Sequence, residues 1–153
     1  MPLVTSEKML LAAREGSWAV GAFNVENMEM VQAVIEAAEA MKAPVIIQTT
    51  PGTVKYGSLE LYFAIVSALA KNSPVPIALH LDHGDSFDLA LKALRAGYSS
   101  IMIDGSQYPF EENISLTKAV VRACKPNYIP VEGELGKVGG KEDDTISEGT
   151  GYT

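Results

Sequence analysis

The sequence predicts an α/β protein made of TIM-barrel-type (β/α) units, with about five parallel strands of an eight-stranded barrel. Short apolar runs alternate along the chain with stretches whose apolar residues recur at i, i+3, i+4 and i+7. That alternation is typical of strands followed by amphipathic helices. The predicted strands also start at intervals of about 24 to 30 residues, close to the roughly 30 residues that each unit of an eight-unit barrel occupies.

The first predicted element is a helix with Thr5 or Ser6 as its N-cap and Glu7 in its first turn. It ends at Gly16, a residue suited to a left-handed C-terminal position, and we expect it to lie under the barrel as a lid. Strands are then predicted at residues 19–24, 45–50, 75–82, 99–104 and 129–134. The helices between them are predicted at residues 27–42, 58–72, 87–96 and 111–125.

One domain is expected over residues 1–153, since 153 residues with 47% hydrophobic side chains suffice for a single packed core. Nothing before residue 134 resembles an interdomain linker. The stretch 136–144 is rich in glycine and charge and has no apolar period. We therefore expect residues 136–153 to form a mobile active-site loop and the truncated end of the barrel.

Charge and hydropathy disfavour several classes of partner. With 12 basic and 19 acidic residues, the formal charge of −7 repels nucleic-acid backbones and anionic lipid headgroups. The longest nearly apolar stretch, residues 63–70, is far shorter than a membrane helix, and the N-terminus lacks a signal-peptide pattern. We expect a cytoplasmic protein without nucleic-acid or membrane partners, in which the single Cys124 is buried and inert.

Polar residues end all five predicted strands, and they are Asn24, Thr50, Asp82, Asp104 and Glu134. For any one strand, an ordinary turn residue is the simpler interpretation. Five in succession favour a shared polar site, because the carboxyl ends of parallel strands meet at one edge of a sheet, where such proteins bind their ligands.

The segment 80–84, His-Leu-Asp-His-Gly, contains the strongest candidate group. On a regular strand Asp82 and His83 would point to opposite faces, so we expect the strand to end near Asp82 and the chain to turn there, as Gly84 permits. His80 is more simply interpreted as a barrel histidine that bonds a side chain of the neighbouring strand. His83 at the mouth is the better candidate for a metal ligand.

Asp104 and Glu134 would complete, with His83, a mixed nitrogen and oxygen cluster suited to Zn²⁺ or another divalent ion. A closed structural zinc site is disfavoured, because no cysteine or second close histidine would complete its shell.

The chain resembles the class II, zinc-dependent ketose-bisphosphate aldolases that act on fructose or tagatose bisphosphate. The segments that carry the resemblance match in order and spacing, and they are residues 21–24, 80–84, 102–106, 109–113, 132–136 and 139–144. The resemblance implies that Asp82 is the catalytic acid/base and His83 a ligand of the catalytic Zn²⁺. It implies that Asp104 and Glu134 hold a metal in a neighbouring position.

By the same resemblance, Asn24 and Thr50 are substrate contacts, and Glu142 takes part in proton transfer. The implied reaction is the reversible cleavage of a phosphorylated sugar, a ketose 1,6-bisphosphate, to glycerone phosphate and glyceraldehyde 3-phosphate through a metal-stabilised enediolate. A homo-oligomer is expected. The family usually has Ala-Ser-His where this chain has Gly-Ser-Gln at 105–107, which leaves the choice of sugar open.

Two other functions stay open at this point. Family members continue beyond the position of Thr153 with further zinc-binding histidines and phosphate loops, so we expect little activity from this chain alone unless another chain supplies them. A non-catalytic barrel fragment or phosphosugar-binding module is the first alternative. A metal-dependent hydrolase, in which Asp82 and His83 activate water, is the second.

Overall fold

The computed structural model describes residues 3–136, 140–142 and 145–147. One parallel sheet contains five strands in sequence order. They are β1 (Gly21–Asn24), β2 (Val45–Thr49), β3 (Ile77–Gly84), β4 (Ser100–Ile103) and β5 (Val131–Gly133). The helices are α1 (Ser6–Gly16), α2 (Met28–Met41), α3 (Pro51–Gly57), α4 (Leu59–Ala70), α5 (Phe87–Ala96) and α6 (Phe110–Cys124), followed by a 3₁₀ turn, Lys125–Asn127. The predicted fold class of parallel strands alternating with helices is confirmed.

The two faces of the sheet differ in chemistry because strand side chains alternate. The face under the helices is apolar and fully buried, with Ile47, Leu79 and Ile101 in one cluster with Val66 and Val120 from the helices. This burial of aliphatic side chains is the main favourable term that holds the strands in register.

The inward face is polar towards the carboxyl ends of the strands. Parallel register sets Asn24 beside Gln48, Gln48 beside His80, and His80 beside Ser100. At the opposite end, α1 closes the inward face. Its Met9 packs with residues at the starts of β2 and β3, and the Ser6 hydroxyl lies 2.8 Å from that of Ser100. The helix expected as a lid therefore lies at the end away from the predicted site.

Most helix starts follow the capping chemistry of the sequence. The side chains of Asn27, Ser58 and Ser86 each accept a hydrogen bond from a backbone amide in the first turn of α2, α4 and α5. The first helix begins after Thr5 and ends at Gly16, as predicted, but its capping differs from expectation. Thr5 makes no side-chain capping bond, and the left-handed residue after the helix is Ser17, with φ 56°, rather than Gly16.

Helix α3 was not predicted from the sequence. Thr50 is its N-cap, and Pro51 occupies its first turn, where a missing amide hydrogen costs nothing. The signal was present in the Thr-Pro pair, but Thr50 is predicted as the end of the second strand and residues 51–57 are assigned to no element.

Part of the segment predicted as a mobile loop forms strands in the structure. Strands β6 (Gly140–Glu142) and β7 (Thr145–Ser147) pair antiparallel in a separate two-stranded sheet. Residues 137–139, 143–144 and 148–153 lie outside the described residues, so the mobility of 136–153 stays a prediction.

Cys124 is buried, as predicted, and burial raises the pKa of its thiol. Among the described residues, no helix combines the length and the apolar composition needed to cross a membrane.

Replacing Tyr98 with phenylalanine should lower stability, and by less at alkaline pH. The buried Tyr98 hydroxyl lies 2.9 Å from that of Thr49, so its loss leaves a buried hydroxyl unpaired, at a cost of about 1–3 kcal/mol. Burial raises the pKa of Tyr98 to about 12, while its bond to Thr49 opposes that rise and the charges of Tyr62 and Glu60 add to it.

Because the folded pKa exceeds the unfolded value, the contribution of Tyr98 to stability is complete below pH 10 and declines as pH rises to about 12. The difference between wild type and variant should therefore shrink by roughly 1.4 kcal/mol for each pH unit in that window. Urea unfolding at pH 8 and pH 11 measures it. The exposed Tyr128→Phe change is the control, and an equal difference at both pH values contradicts the prediction.

Candidate active site at the carboxyl ends of the strands

A bulge in β3 brings two adjacent side chains to the same side of the sheet. The β3–β4 register shifts between Leu81 and Gly84, so Asp82 and His83 together stand opposite one residue of β4. His83 has φ 48°, a left-handed conformation that is uncommon outside glycine and costs of order 1–3 kcal/mol. That strained backbone turns the imidazole towards the acidic strand ends.

This geometry corrects the expectation that the strand ends near Asp82 and turns at Gly84. The strand continues to Gly84, and the left-handed residue is His83 itself. Gly84 is needed for another reason: a Cβ there would lie 2.6 Å from the carbonyl oxygen of Met102. Glycine therefore lets β3 resume its pairing with β4 directly after the bulge.

Three carboxylates surround the His83 imidazole. Its Nδ1 lies 3.0 Å from Asp104 Oδ2 and 3.5 Å from Glu134 Oε2, while its Nε2 lies 4.0 Å from Asp82 Oδ1. The three carboxylate side chains are 14–16% exposed and the imidazole is 35% exposed. The four residues that sequence analysis assigned to one rim therefore converge, at the half-buried ends of β3, β4 and β5.

The charges and hydrogen bonds of this cluster shift the pKa values of His83 and Asp104. Burial lowers the pKa of His83, but the hydrogen bond to Asp104 and the negative charges of Asp82, Glu134 and Asp104 outweigh it, so the net direction is upward. Burial raises the pKa of Asp104, yet hydrogen bonds from His83 and Ser106 bring it below its usual value. Three carboxylates around one imidazole place more negative than positive charge at this rim, an arrangement suited to a bound cation.

Asp82 is oriented by a residue to which sequence analysis gave no role. The side-chain Nε2 of Gln48, on β2, donates a hydrogen bond to Asp82 Oδ2 at 2.7 Å. Gln48 lies on the same inward face as Asn24 and His80. The signal available in the sequence was its position two residues before Thr50 on a predicted strand, which placed it in phase with the polar strand ends.

The structure confirms the interpretation of His80 as a barrel histidine. Its Nδ1 lies 2.8 Å from the Ser100 hydroxyl of the neighbouring strand. Burial and the nearby charge of His83 lower its pKa to about 4, so the ring is neutral at pH 7. Its 3.7 Å approach to Glu132 is therefore a contact of a neutral ring with a carboxylate rather than an ion pair.

The two predicted substrate contacts occupy different settings. Asn24 is exposed at the end of β1, beside Gln48 in register. Thr50 is buried, and its hydroxyl accepts the Thr53 amide hydrogen as the N-cap of α3, so part of its bonding capacity is used within the fold. Glu142 lies in β6, and its side chain lies outside the described part of the chain.

His83, Asp104 and Glu134 fit a divalent metal ion. One potential ligand atom from each lies within 4.8 Å of the others. Ligand atoms around an ion with bonds of about 2.0–2.2 Å lie roughly 3–4 Å apart, so small side-chain movements suffice. One imidazole nitrogen with two carboxylate oxygens suits Zn²⁺ and similar ions.

Comparison with known proteins identifies the family. The profile of the family described as "Fructose-bisphosphate aldolase class-II" matches residues 4–153. The chain belongs to this family. The resemblance inferred from the strand-end motifs is thereby confirmed.

Curated relatives match across nearly the whole chain. A "Probable fructose-bisphosphate aldolase" from Bacillus subtilis (strain 168) is 47% identical over 155 aligned residues, which cover 99% of this chain and 54% of that protein. A "Fructose-bisphosphate aldolase" from Staphylococcus aureus (strain Mu50 / ATCC 700699) is 42% identical, with the same two coverages. The chain thus spans about half the length of these relatives.

Solved structures show the same fold. The YdjI aldolase from Escherichia coli K12 superposes with a TM-score of 0.84 at 40% identity, covering 88% of this chain and 51% of that one. A putative fructose-1,6-bisphosphate aldolase from Coccidioides immitis gives a TM-score of 0.83 at 35% identity, covering 90% and 48%. The five strands therefore correspond to part of an aldolase TIM barrel.

Proposed function

We propose that this chain forms the acid/base and metal-ligand portion of an aldolase that reversibly cleaves a ketose 1,6-bisphosphate into glycerone phosphate and glyceraldehyde 3-phosphate. Fructose bisphosphate is the substrate named in the curated relatives, and tagatose bisphosphate is the second candidate. One observation carries the proposal: in a chain that matches the aldolase family, four residues converge at one rim of the sheet, namely Asp82, His83, Asp104 and Glu134.

Asp82 is the proposed catalytic acid/base. During cleavage its carboxylate removes the proton of the C4 hydroxyl, and during condensation the carboxylic acid returns it. The hydrogen bond from Gln48 to Oδ2 holds the side chain in place, and its Oδ1 lies 4.0 Å from His83 Nε2, beside the proposed metal ligands. Its side chain is 14% exposed, so few waters compete with the substrate for this oxygen.

Zn²⁺ is the proposed cofactor, with His83, Asp104 and Glu134 as its ligands from this chain. When bound, a divalent cation supplies Lewis-acid stabilisation of the negative charge that develops on the three-carbon ketone fragment. Two of these ligands are oriented by the fold itself. The left-handed backbone directs His83, and the backbone amide of Ser106 donates a hydrogen bond to the Asp104 carboxylate.

Substrate binding is proposed for the exposed amide of Asn24 and for the remaining bonding capacity of the Thr50 hydroxyl. Proton transfer is proposed for Glu142. A cytoplasmic location and a homo-oligomeric assembly belong to the same proposal.

Metal removal is the first test. Dialysis of the natural gene product against a strong chelator should abolish aldol cleavage, and added Zn²⁺ should restore it. Borohydride with substrate should leave activity intact, because a metal-stabilised carbanion needs no Schiff base. Activity that survives chelation but is lost to borohydride contradicts the proposal.

Zinc analysis of the same protein, beside activity assays, separates the proposal from its alternatives. Turnover together with about one bound metal ion for each chain supports the aldolase. A metal-free, inert protein favours a phosphosugar-binding module, and release of inorganic phosphate from a sugar phosphate favours a hydrolase.

A further inference from the structure

Asn113 is a buried amide in the first turn of α6, in a motif to which the proposed chemistry gives no role. Its Nδ2 donates a hydrogen bond to the backbone carbonyl of Glu134 at 2.7 Å. Its Oδ1 accepts from the Thr117 hydroxyl at 3.2 Å, one helical turn along. The Thr117 bond orients the amide, since a hydroxyl that donates must face the oxygen and leaves the NH₂ group towards Glu134.

The same amide also supports the end of β4. Gly105 follows Asp104 directly, and a Cβ added to it would overlap the Asn113 side-chain oxygen and approach the Asn113 Cα to 3.2 Å. Only glycine permits this approach. The backbone beside one carboxylate ligand therefore packs on Asn113, while the backbone of the other ligand is bonded to it.

The β4–β5 ladder does not extend to these ligands. Its register pairs run from Ile101–Val131 to Ile103–Gly133, and the next residues along the two strands are Asp104 and Glu134. The separation of the two carboxylates thus depends on contacts beyond the ladder. Asn113 provides one to each strand end from a rigid helix.

We propose that Asn113 is a positioning residue that fixes the spacing of Asp104 and Glu134 and thereby sets the affinity of the His83–Asp104–Glu134 cluster for a divalent cation. The proposal rests on the proposed function, because it presumes that this cluster binds a metal. Asn113 does not itself touch the ion. Outer-shell groups of this kind typically contribute ten- to hundredfold in metal affinity.

The test is metal binding by metal-free natural gene product, measured by competition with a chromophoric chelator. Asn113→Ala should weaken Zn²⁺ and Co²⁺ binding ten- to hundredfold and alter the visible absorption of the Co²⁺ form, which reports ligand geometry. Thr117→Val keeps the amide and removes only the bond that orients it. It should weaken binding in the same direction by a smaller factor.

Val120→Ala is the matched control, because Val120 is buried on the same helix and packs in the apolar cluster between the helices and the sheet. It should lower stability and keep both the affinity and the Co²⁺ spectrum. The positioning role alone is overturned if Asn113→Ala binds the ions as tightly as wild type. It is also overturned if Val120→Ala loses as much metal affinity as Asn113→Ala. Wild type that binds neither ion overturns the proposed metal site and this inference together.

Discussion

Replacing Asp82 with asparagine should lower kcat for aldol cleavage by about a hundredfold to ten-thousandfold, the range that a general acid/base contributes. Asparagine has the same shape and still accepts the Gln48 hydrogen bond through its oxygen, so the bulge and its neighbours should persist. It lacks the carboxylate that takes the C4 hydroxyl proton. The condensation direction should fall by the same factor, since one group serves both directions.

Metal content distinguishes this effect from damage to the cluster. Asp82 lies 4.0 Å from His83 Nε2 and is not among the three grouped metal-ligand candidates, so Asp82→Asn should bind Zn²⁺ within a few-fold of wild type. Asp88→Asn makes the same chemical change at an exposed helical position and should leave kcat unchanged. If kcat of Asp82→Asn falls by less than tenfold while the metal is retained, Asp82 is not the catalytic acid/base.

The fold was predictable from the sequence because its signals are local. Apolar runs of four to eight residues and helical periodicity located all five parallel strands, and Asn27, Ser58 and Ser86 mark helix starts by their own hydrogen bonds. Helix α3 was missed because it is two turns long and begins where a strand was predicted to end, so its Thr-Pro start resembled an ordinary loop.

The sequence predicted which residues form the site, but not the backbone conformation that brings them together. Strand alternation placed Asp82, Asp104 and Glu134 on one rim, as the structure shows. The bulge at His83 could not be derived, because no local rule assigns a left-handed φ to histidine when glycine follows. The two features beside it, the register shift between β3 and β4 and the close approach at Gly84, arise from the packing of neighbouring strands.

The supporting residues were not predictable for a related reason. Gln48 reaches Asp82 from a strand 34 positions away in sequence, and Asn113 reaches the Glu134 carbonyl across 21 positions. Strand alternation could place Gln48 on the inward face, but neither amide carries a sequence signal that identifies its partner at such a distance. Their roles emerge only when the register of neighbouring strands is known, whereas ionisable residues suggest a site by their type alone.

Removing one carboxylate from the metal cluster should produce the largest loss of metal affinity. Glu134→Gln keeps the size of the side chain and replaces an anionic ligand by a neutral one. Zn²⁺ affinity should fall by more than about a hundredfold, beyond what outer-shell changes cost. Asp104→Asn should have a similar effect. The double variant should lose less binding free energy than the sum of the two single losses, because either substitution already disables the shared site.

Thermal unfolding provides an independent readout of the same loss. At a Zn²⁺ concentration of 100 times the wild-type Kd, binding stabilises the folded state by about 2.7 kcal/mol. For Glu134→Gln, with a Kd at least a hundredfold weaker, the same concentration contributes about 0.4 kcal/mol or less. The metal-dependent rise in Tm should therefore nearly disappear. Glu111→Gln, the same change on an exposed part of α6, should keep the full rise. An unchanged rise in Glu134→Gln would show that the ion binds elsewhere.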